Sequence, residues 1–153
     1  MTENPTPAEA LEAIRQSRKA AERRVARGSW RYDLTYSAIF AAMIGSQALD
    51  MPINSLGVAG GLLALALLYR RETERLGVAV NGMTPRRARW VAIGLGLAML
   101  PLMLAAIVLN YREPPLHIHL LGIAALSLVA FVFALVGSRL WLRVYRRETG
   151  TGE

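Results

Sequence analysis

The chain has 153 residues, 54% of them hydrophobic, with 18 basic and 11 acidic residues and a formal net charge of +7. Four stretches contain no Asp, Glu, Lys or Arg: Leu34–Leu49, Ile53–Tyr69, Trp90–Tyr111 and Pro114–Ser138. Because a soluble domain needs charge on the wet face of every helix, this distribution excludes a soluble enzyme and a soluble nucleic-acid-binding domain. It predicts an all-α, polytopic membrane protein.

The first predicted element is a cytoplasmic amphipathic helix within residues 1–29. Thr6 is a good N-cap, Pro7 suits the first helical position, and Glu9 closes a capping box. An apolar stripe runs along the helix, interrupted by Arg18, and consists of Leu11, Ile14, Ala21 and Val25. Three roles stay open: contact with the anionic inner leaflet, packing on the same chain, or binding of a separate partner. The first 30 residues lack the apolar core of a signal peptide, so we expect no cleavage.

Four transmembrane helices are predicted next, at about residues 30–49, 53–70, 85–111 and 116–147, before a disordered tail at 150–153. The first helix should begin near Trp30, because Leu34–Leu49 alone rises only about 24 Å and the hydrocarbon core is roughly 30 Å thick. Gly57 and Gly61 form a G-x-x-x-G motif in the second helix, which lets two backbones approach closely. These glycines are predicted to pack against another helix, either within the chain or in a second copy.

The basic residues indicate the orientation. All 18 except Arg112 lie before the first uncharged stretch, between the second and third stretches, or after the fourth. The positive-inside rule then predicts that both termini and the middle loop lie on the cytoplasmic side of a bacterial inner membrane. We expect the arginines of this face to contact anionic lipid or a partner protein. The candidates are Arg23, Arg24, Arg27, Arg70, Arg71, Arg86, Arg87, Arg146 and Arg147.

One short sequence occurs twice. Tyr69–Thr73 reads Tyr-Arg-Arg-Glu-Thr and recurs as Tyr145–Thr149, in each case at the cytoplasmic end of a predicted helix. Duplication of a helical hairpin would explain this, with the two copies related by an axis along the membrane normal. Convergence is the alternative, because tyrosine and arginine suit the inner interface of any membrane helix.

Polar side chains collect at the opposite, outer ends of the predicted helices: Gln47, Asp50, Asn54, Asn110, His117 and His119. Two histidines with carboxylates nearby could bind Zn²⁺ or Cu²⁺, or ligate haem. On a helix, however, the two rings of an H-x-H pair diverge by about 200°, whereas an extended segment after Pro114-Pro115 would align them. A solvated rim is the other interpretation. No cofactor is predicted, metal binding stays open, and the absence of cysteine excludes disulfides and thiolate ligands.

The connection between the second and third helices carries a resemblance. Residues 77–89 read Gly-Val-Ala-Val-Asn-Gly-Met-Thr-Pro-Arg-Arg-Ala-Arg. Together with the basic N-terminal helix and Trp30, this segment resembles a family of small four-helix bacterial inner-membrane proteins that carry a Gly-Val-x-Val-x-Gly-x-x-Pro-x-Arg loop at this place. The resemblance covers most of the chain. It implies the topology and implies no activity.

Three hypotheses for function follow. The first is a non-enzymatic accessory or scaffold protein that contacts membrane lipids and associates with a second copy or another membrane protein. The second is a small dimeric channel or transporter whose outer polar cluster forms a vestibule, and the third is an outer-face metal or haem protein. No ionisable residue is expected near the membrane midplane, which argues against proton-coupled efflux. Nucleic acid is not an expected partner.

Overall fold

The computed structural model describes residues 6–77 and 86–150, without the side chains of residues 18, 22, 27 and 86–88. It contains five α-helices: α1 (Pro7–Arg27), α2 (Trp30–Ser46), α3 (Ile53–Leu76), α4 (Arg86–Tyr111) and α5 (Leu116–Thr149). No strand occurs within the described ranges, which confirms the all-α class. Most of the loop that carries the family resemblance, residues 78–85, and the predicted tail at 151–153 lie outside these ranges.

Three of these helices are long and apolar enough to cross a membrane: Ile53–Leu76, Arg89–Tyr111 and Leu116–Thr149. The chain therefore has the helices of a membrane protein. The remaining predicted span, α2, has 17 residues and rises only about 26 Å. It ends at Ser46, three residues before the predicted end, because the chain then enters a turn in which Ala48 N–H donates to Gly45.

The helix α3 continues six residues beyond its predicted end at Tyr69-Arg70. The uncharged stretch stops there, but Arg70 and Glu74 form an ion pair of 2.9 Å one turn apart, which supports further helix. The helix ends where Gly77 adopts a left-handed conformation (φ 69°) and donates its N–H to the Thr73 carbonyl. The loss of hydrophobicity marks the edge of a membrane segment, and a helix does not have to end there.

The helices α2 and α5 form the centre of the molecule, with α3 packed on α2 and α4 packed on α5. Small residues allow this close approach, because Ala48, Ala106, Ala130 and Ala134 have no exposed surface. Within the described residues, no Cα atom of α3 lies within 8 Å of a Cα atom of α4. The helices therefore follow the spatial order α3, α2, α5, α4, with a gap between the first and the last.

The gap bears on the repeated sequence. A twofold relation between an α2–α3 hairpin and an α4–α5 hairpin would make the α2–α5 interface equivalent to an α4–α3 interface. The first is the most extensive in the molecule, and the second is absent from the described residues. The repeated tyrosines also differ, because Tyr145 is buried and Tyr69 is 45% exposed. The two hairpins are thus packed asymmetrically, whether or not they arose by duplication.

The helix α1 docks by its last turn. The carbonyl of Ala26 accepts a hydrogen bond of 2.7 Å from Arg146 Nε, and the carbonyl of Leu76 accepts one of 3.4 Å from Arg24. Carbonyls at helix C-termini lack partners within the helix, and cationic donors suit the negative end of the helix dipole. An apolar contact completes the junction and involves Val25, Ala26, Tyr145, Leu76 and Trp141.

The first turns of α1 project away from this junction. The predicted capping box is present, with Thr6 N–H donating to Glu9 (2.8 Å) and Glu9 N–H donating to Thr6 Oγ1 (3.4 Å). The backbone N–H of Thr6 lowers the pKa of the Glu9 carboxyl, because it stabilises the ionised form. Leu11 is 57% exposed and Ile14 is 65% exposed. The described part of the chain thus covers the stripe at Val25 and leaves it uncovered at Leu11 and Ile14.

Candidate functional site

The two ends of the helix assembly differ in chemistry. At one end, called here the arginine-rich end, the start of α2, the end of α3, the start of α4 and the last part of α5 come together. Arg75 donates to Ser29 there (3.2 Å), and the Arg139 guanidinium lies 4.5 Å from the centre of the Trp30 ring. At the other end, called the turn end, the α2–α3 turn meets the end of α4 and the start of α5.

Two residues of the predicted outer cluster bind backbone at the turn end. His119 Nε2 lies 2.7 Å from the Ala48 carbonyl oxygen, and Asn110 donates to the Leu49 carbonyl at 3.5 Å. A carbonyl oxygen only accepts, so the proton of this His119 contact is on Nε2. Carbonyls just after a helix end have no hydrogen-bond donor within the helix. Here His119 of α5 and Asn110 of α4 are the donors. Their contacts stabilise the turn.

The other four members of the cluster divide between the turn and solvent. Gln47 donates to the Asn54 carbonyl across the turn (3.5 Å). The Asn54 side chain accepts from the N–H of Ser55 (2.6 Å). Asp50 accepts from the N–H of Ile53 (2.9 Å) through its backbone carbonyl, and the Met51–Pro52 peptide bond in the same turn is cis. The side chains of Asp50 and His117 are exposed.

The two histidines do not form a shared site. Both lie in the first turn of α5, so their rings diverge by about 200° around the helix. His119 already uses Nε2 on the α2–α3 turn. Among the described residues, no three His, Asp or Glu side chains come together in a group able to hold a metal ion.

The nine candidate arginines serve different purposes. Arg24 and Arg146 bind the helix-end carbonyls at the α1 junction. Arg70 pairs with Glu74 on the surface of α3. Three are exposed: Arg23, Arg71 and Arg147. Three have side chains outside the described part of the chain: Arg27, Arg86 and Arg87.

The glycines Gly57 and Gly61 both face α2. A Cβ atom at Gly57 would collide with the Ser46 side chain, and one at Gly61 would collide with the Met43 side chain. A Cβ atom at Gly60 would meet nothing within 4 Å. The G-x-x-x-G motif therefore packs α3 against α2 within one chain.

The arginine-rich end contains a buried ion pair that was not predicted from the sequence. Asp33 is 5% exposed, and its Oδ2 lies 2.9 Å from Arg139 Nη2. The other carboxylate oxygen accepts a short hydrogen bond from Ser138. Each residue of the pair stands immediately outside an uncharged stretch, within a predicted helix, and no partner was predicted for either. The available signal was that the two have opposite charge and were predicted to lie at the same membrane face.

A cavity of about 460 Å³ lies at the arginine-rich end and is lined by α2, α3, α4 and α5 together with residues near the end of α1. The wall from α2 is an aromatic column, with ring centres 6.0 Å apart for Tyr32 and Tyr36 and 4.8 Å apart for Tyr36 and Phe40. Tyr69 and Glu72 line it from α3. None of the outer-cluster residues is among its lining residues.

Comparison with known proteins finds no matching family model, no matching curated protein and no matching solved structure. What this chain does is therefore inferred from its own contacts, cavities and charges.

Proposed function

We propose that this chain is a non-enzymatic accessory protein of the bacterial cytoplasmic membrane. It crosses the membrane four times, with both termini in the cytoplasm, and presents an arginine-rich face to anionic lipid headgroups. The observation that carries the proposal is the docking of α1 at the arginine-rich end, where Arg146 of α5 binds the end of α1.

The contacts of α1 support an even number of crossings. This helix precedes α2 in the chain, yet it contacts the C-terminal ends of α3 and α5. The segment before α2 and the C-terminal end of α5 touch each other, so they belong on one membrane face. If α3, α4 and α5 are three spans, α2 is the fourth. Each end of α2 contacts the matching end of another span: Ser29, before α2, accepts from Arg75 of α3, and the turn after α2 accepts from His119 of α5.

The exposed part of α1 supports the lipid contact. Leu11 and Ile14 lie on one face of the helix and are uncovered, while the basic residues Arg15, Lys19 and Arg23 lie beside them and are exposed. A helix of this kind binds a bilayer surface with its apolar face in the headgroup region. Each basic residue near an anionic leaflet adds about 1 kcal/mol to the attraction.

The length of α5 determines where the α1 junction lies relative to the membrane. Its 34 residues rise about 51 Å, which exceeds the roughly 30 Å hydrocarbon core. Its last turns carry Arg139, Arg143, Arg146 and Arg147, so the α1 junction falls at the level of the headgroups. Exposed Arg71 of α3 and Arg147 of α5 add to the basic surface of this end.

The orientation is tested with single cysteines, since the natural chain has none. A membrane-impermeant maleimide should label Tyr111→Cys in intact cells and Glu74→Cys only after permeabilisation, because the first residue is proposed to lie outside and the second inside. Both natural side chains are exposed in the structure. Labelling of Glu74→Cys in intact cells would overturn the orientation.

The lipid contact is tested with a nitroxide spin label at Ile14→Cys, with Gln16→Cys as the matched control about 200° around α1. In nanodiscs that contain phosphatidylglycerol, the label at residue 14 should be more accessible to oxygen and less accessible to a nickel chelate than the label at residue 16. High salt, or nanodiscs of phosphatidylcholine alone, should reduce the difference. Equal accessibility at the two positions in both lipids would contradict the proposed contact.

A further inference from the structure

The cavity at the arginine-rich end occupies the gap between α3 and α4. Both helices are long and apolar enough to cross a membrane, and within the described residues they do not touch. The cavity is therefore bounded on two sides by membrane-length helices that leave space between them.

Most of the cavity suits an apolar body. The wall from α4 consists of Val91, Ala92, Leu95, Gly96 and Met99, with no polar side chain among them. The Cβ position of Gly96 faces open space, since nothing lies within 4 Å of it. The aromatic column of α2 forms the opposite wall.

The charged residues among the described lining are acidic. Asp33 and Glu72 line the cavity, and none of its described lining residues is Lys or Arg. This is notable in a chain with a net charge of +7 whose basic residues crowd the same end. Asp33 is paired with Arg139 and Glu72 with Arg75, but neither arginine is among the described lining residues. An anionic group in the cavity would face two carboxylates, whereas a cationic group would be attracted to them.

We propose that this cavity binds an amphipathic cation, a molecule with an alkylammonium group on an apolar body. The ammonium lies between Asp33 and Glu72, with the faces of Tyr32 and Tyr69 available for cation–π contact. The apolar body lies along Leu95 and the other apolar residues of α4. This site is distinct from the lipid-facing surface of α1, because its charge has the opposite sign and its ligand lies inside the helix assembly.

The existing partner of Glu72 does not block the site. Arg75 lies 3.4 Å from Glu72, and its side chain is 58% exposed. Arg75 is the more exposed partner, since the Glu72 side chain is 21% exposed, so an entering ammonium can displace the guanidinium toward solvent with the loss of its bond to Ser29. Arg139, in contrast, is held between Asp33 and the Trp30 ring and stays in place.

Native mass spectrometry of the purified full-length chain in a neutral detergent tests the proposal, with dodecyltrimethylammonium as the probe. Dodecyl sulfate, which has the same chain length and the opposite charge, is the ligand control. We expect one bound cation per chain, and at least tenfold less binding of the anion. Equal binding of the two amphiphiles, or a dimer that excludes both, would overturn the proposal.

Two glycines of α4 give matched variants. Gly96→Leu places a side chain in the cavity and should reduce cation binding at least tenfold. Gly94→Leu adds the same side chain two residues earlier, where a Cβ atom also meets nothing within 4 Å and no lining residue is replaced. It should leave binding unchanged. If Gly96→Leu fails to fold by circular dichroism, Ala92→Leu fills the same cavity in its place.

The charge is tested by Glu72→Gln, which keeps the shape of the side chain. Dodecyltrimethylammonium binding should fall at least threefold, while binding of uncharged dodecanol stays the same. Cation binding that survives both the filled cavity and Glu72→Gln would show that the site lies elsewhere.

Discussion

Asp33→Asn is expected to lower the free energy of unfolding by about 3 kcal/mol, the lower end of the range for breaking a buried ion pair. The substitution keeps the size of the side chain but leaves the Arg139 guanidinium without a counter-charge. The lower end applies because the Arg139 side chain is 36% exposed and water screens part of its charge. Reversible unfolding in mixed micelles, followed by circular dichroism, measures the change.

The surface pair on α3 is the matched control. Arg70 and Glu74 are also 2.9 Å apart, but their side chains are 77% and 64% exposed. Glu74→Gln should therefore cost no more than about 1 kcal/mol. Combining Asp33→Asn with Arg139→Gln should cost less than the sum of the two single changes, since the second removes the charge that the first leaves unpaired. If Asp33→Asn and Glu74→Gln have the same effect, the buried pair does not stabilise the fold.

Gly61→Leu is expected to destabilise the packing of α3 on α2 by about 1–3 kcal/mol. The added side chain must displace Met43, which already occupies the space where a Cβ atom would stand. The contact lies within one chain, so the melting temperature should fall without a change of oligomeric state. Thermal unfolding in detergent and size-exclusion chromatography measure the two quantities.

A substitution at the neighbouring Gly60 distinguishes the effect of packing from the effect of helix propensity. Gly60→Leu introduces the same side chain one residue earlier, where the Cβ position is open. It should leave the melting temperature unchanged or raise it slightly, because leucine favours helix more than glycine does. A similar loss in both variants would mean that α3 does not use Gly61 as its contact with α2.

The uncharged stretches predicted where the helices lie, but they did not predict all of the helix ends. They locate apolar segments, and an apolar segment ends where charge begins. A helix ends where its backbone changes conformation. Beyond Tyr69 the helix α3 continues through charged residues to Gly77, whose φ of 69° ends it. After α2, residues 47–49 carry no charge, so the uncharged stretch gave no signal that the helix ends at Ser46.

The site residues were predictable as a group and not in their roles. The sequence predicted that the outer cluster lies at one end of the helices, but it did not predict that His119 reaches a carbonyl 71 residues away and Asn110 one 61 residues away. Backbone acceptors leave no trace in residue type, so only the fold reveals them. The cavity could not be predicted from the sequence for the same reason. It depends on which helices fail to touch, and the composition of α3 and α4 does not encode that.

The junction of α1 also has a consequence for biosynthesis. A ribosome makes α1 first, whereas Arg146, which binds the carbonyl of Ala26, follows 120 residues later. Until α5 is complete, Val25 and Ala26 have no Tyr145 to pack against. The helix α1 is therefore synthesised early but docks late. It reaches its docked position only after α5 has been made and is in place.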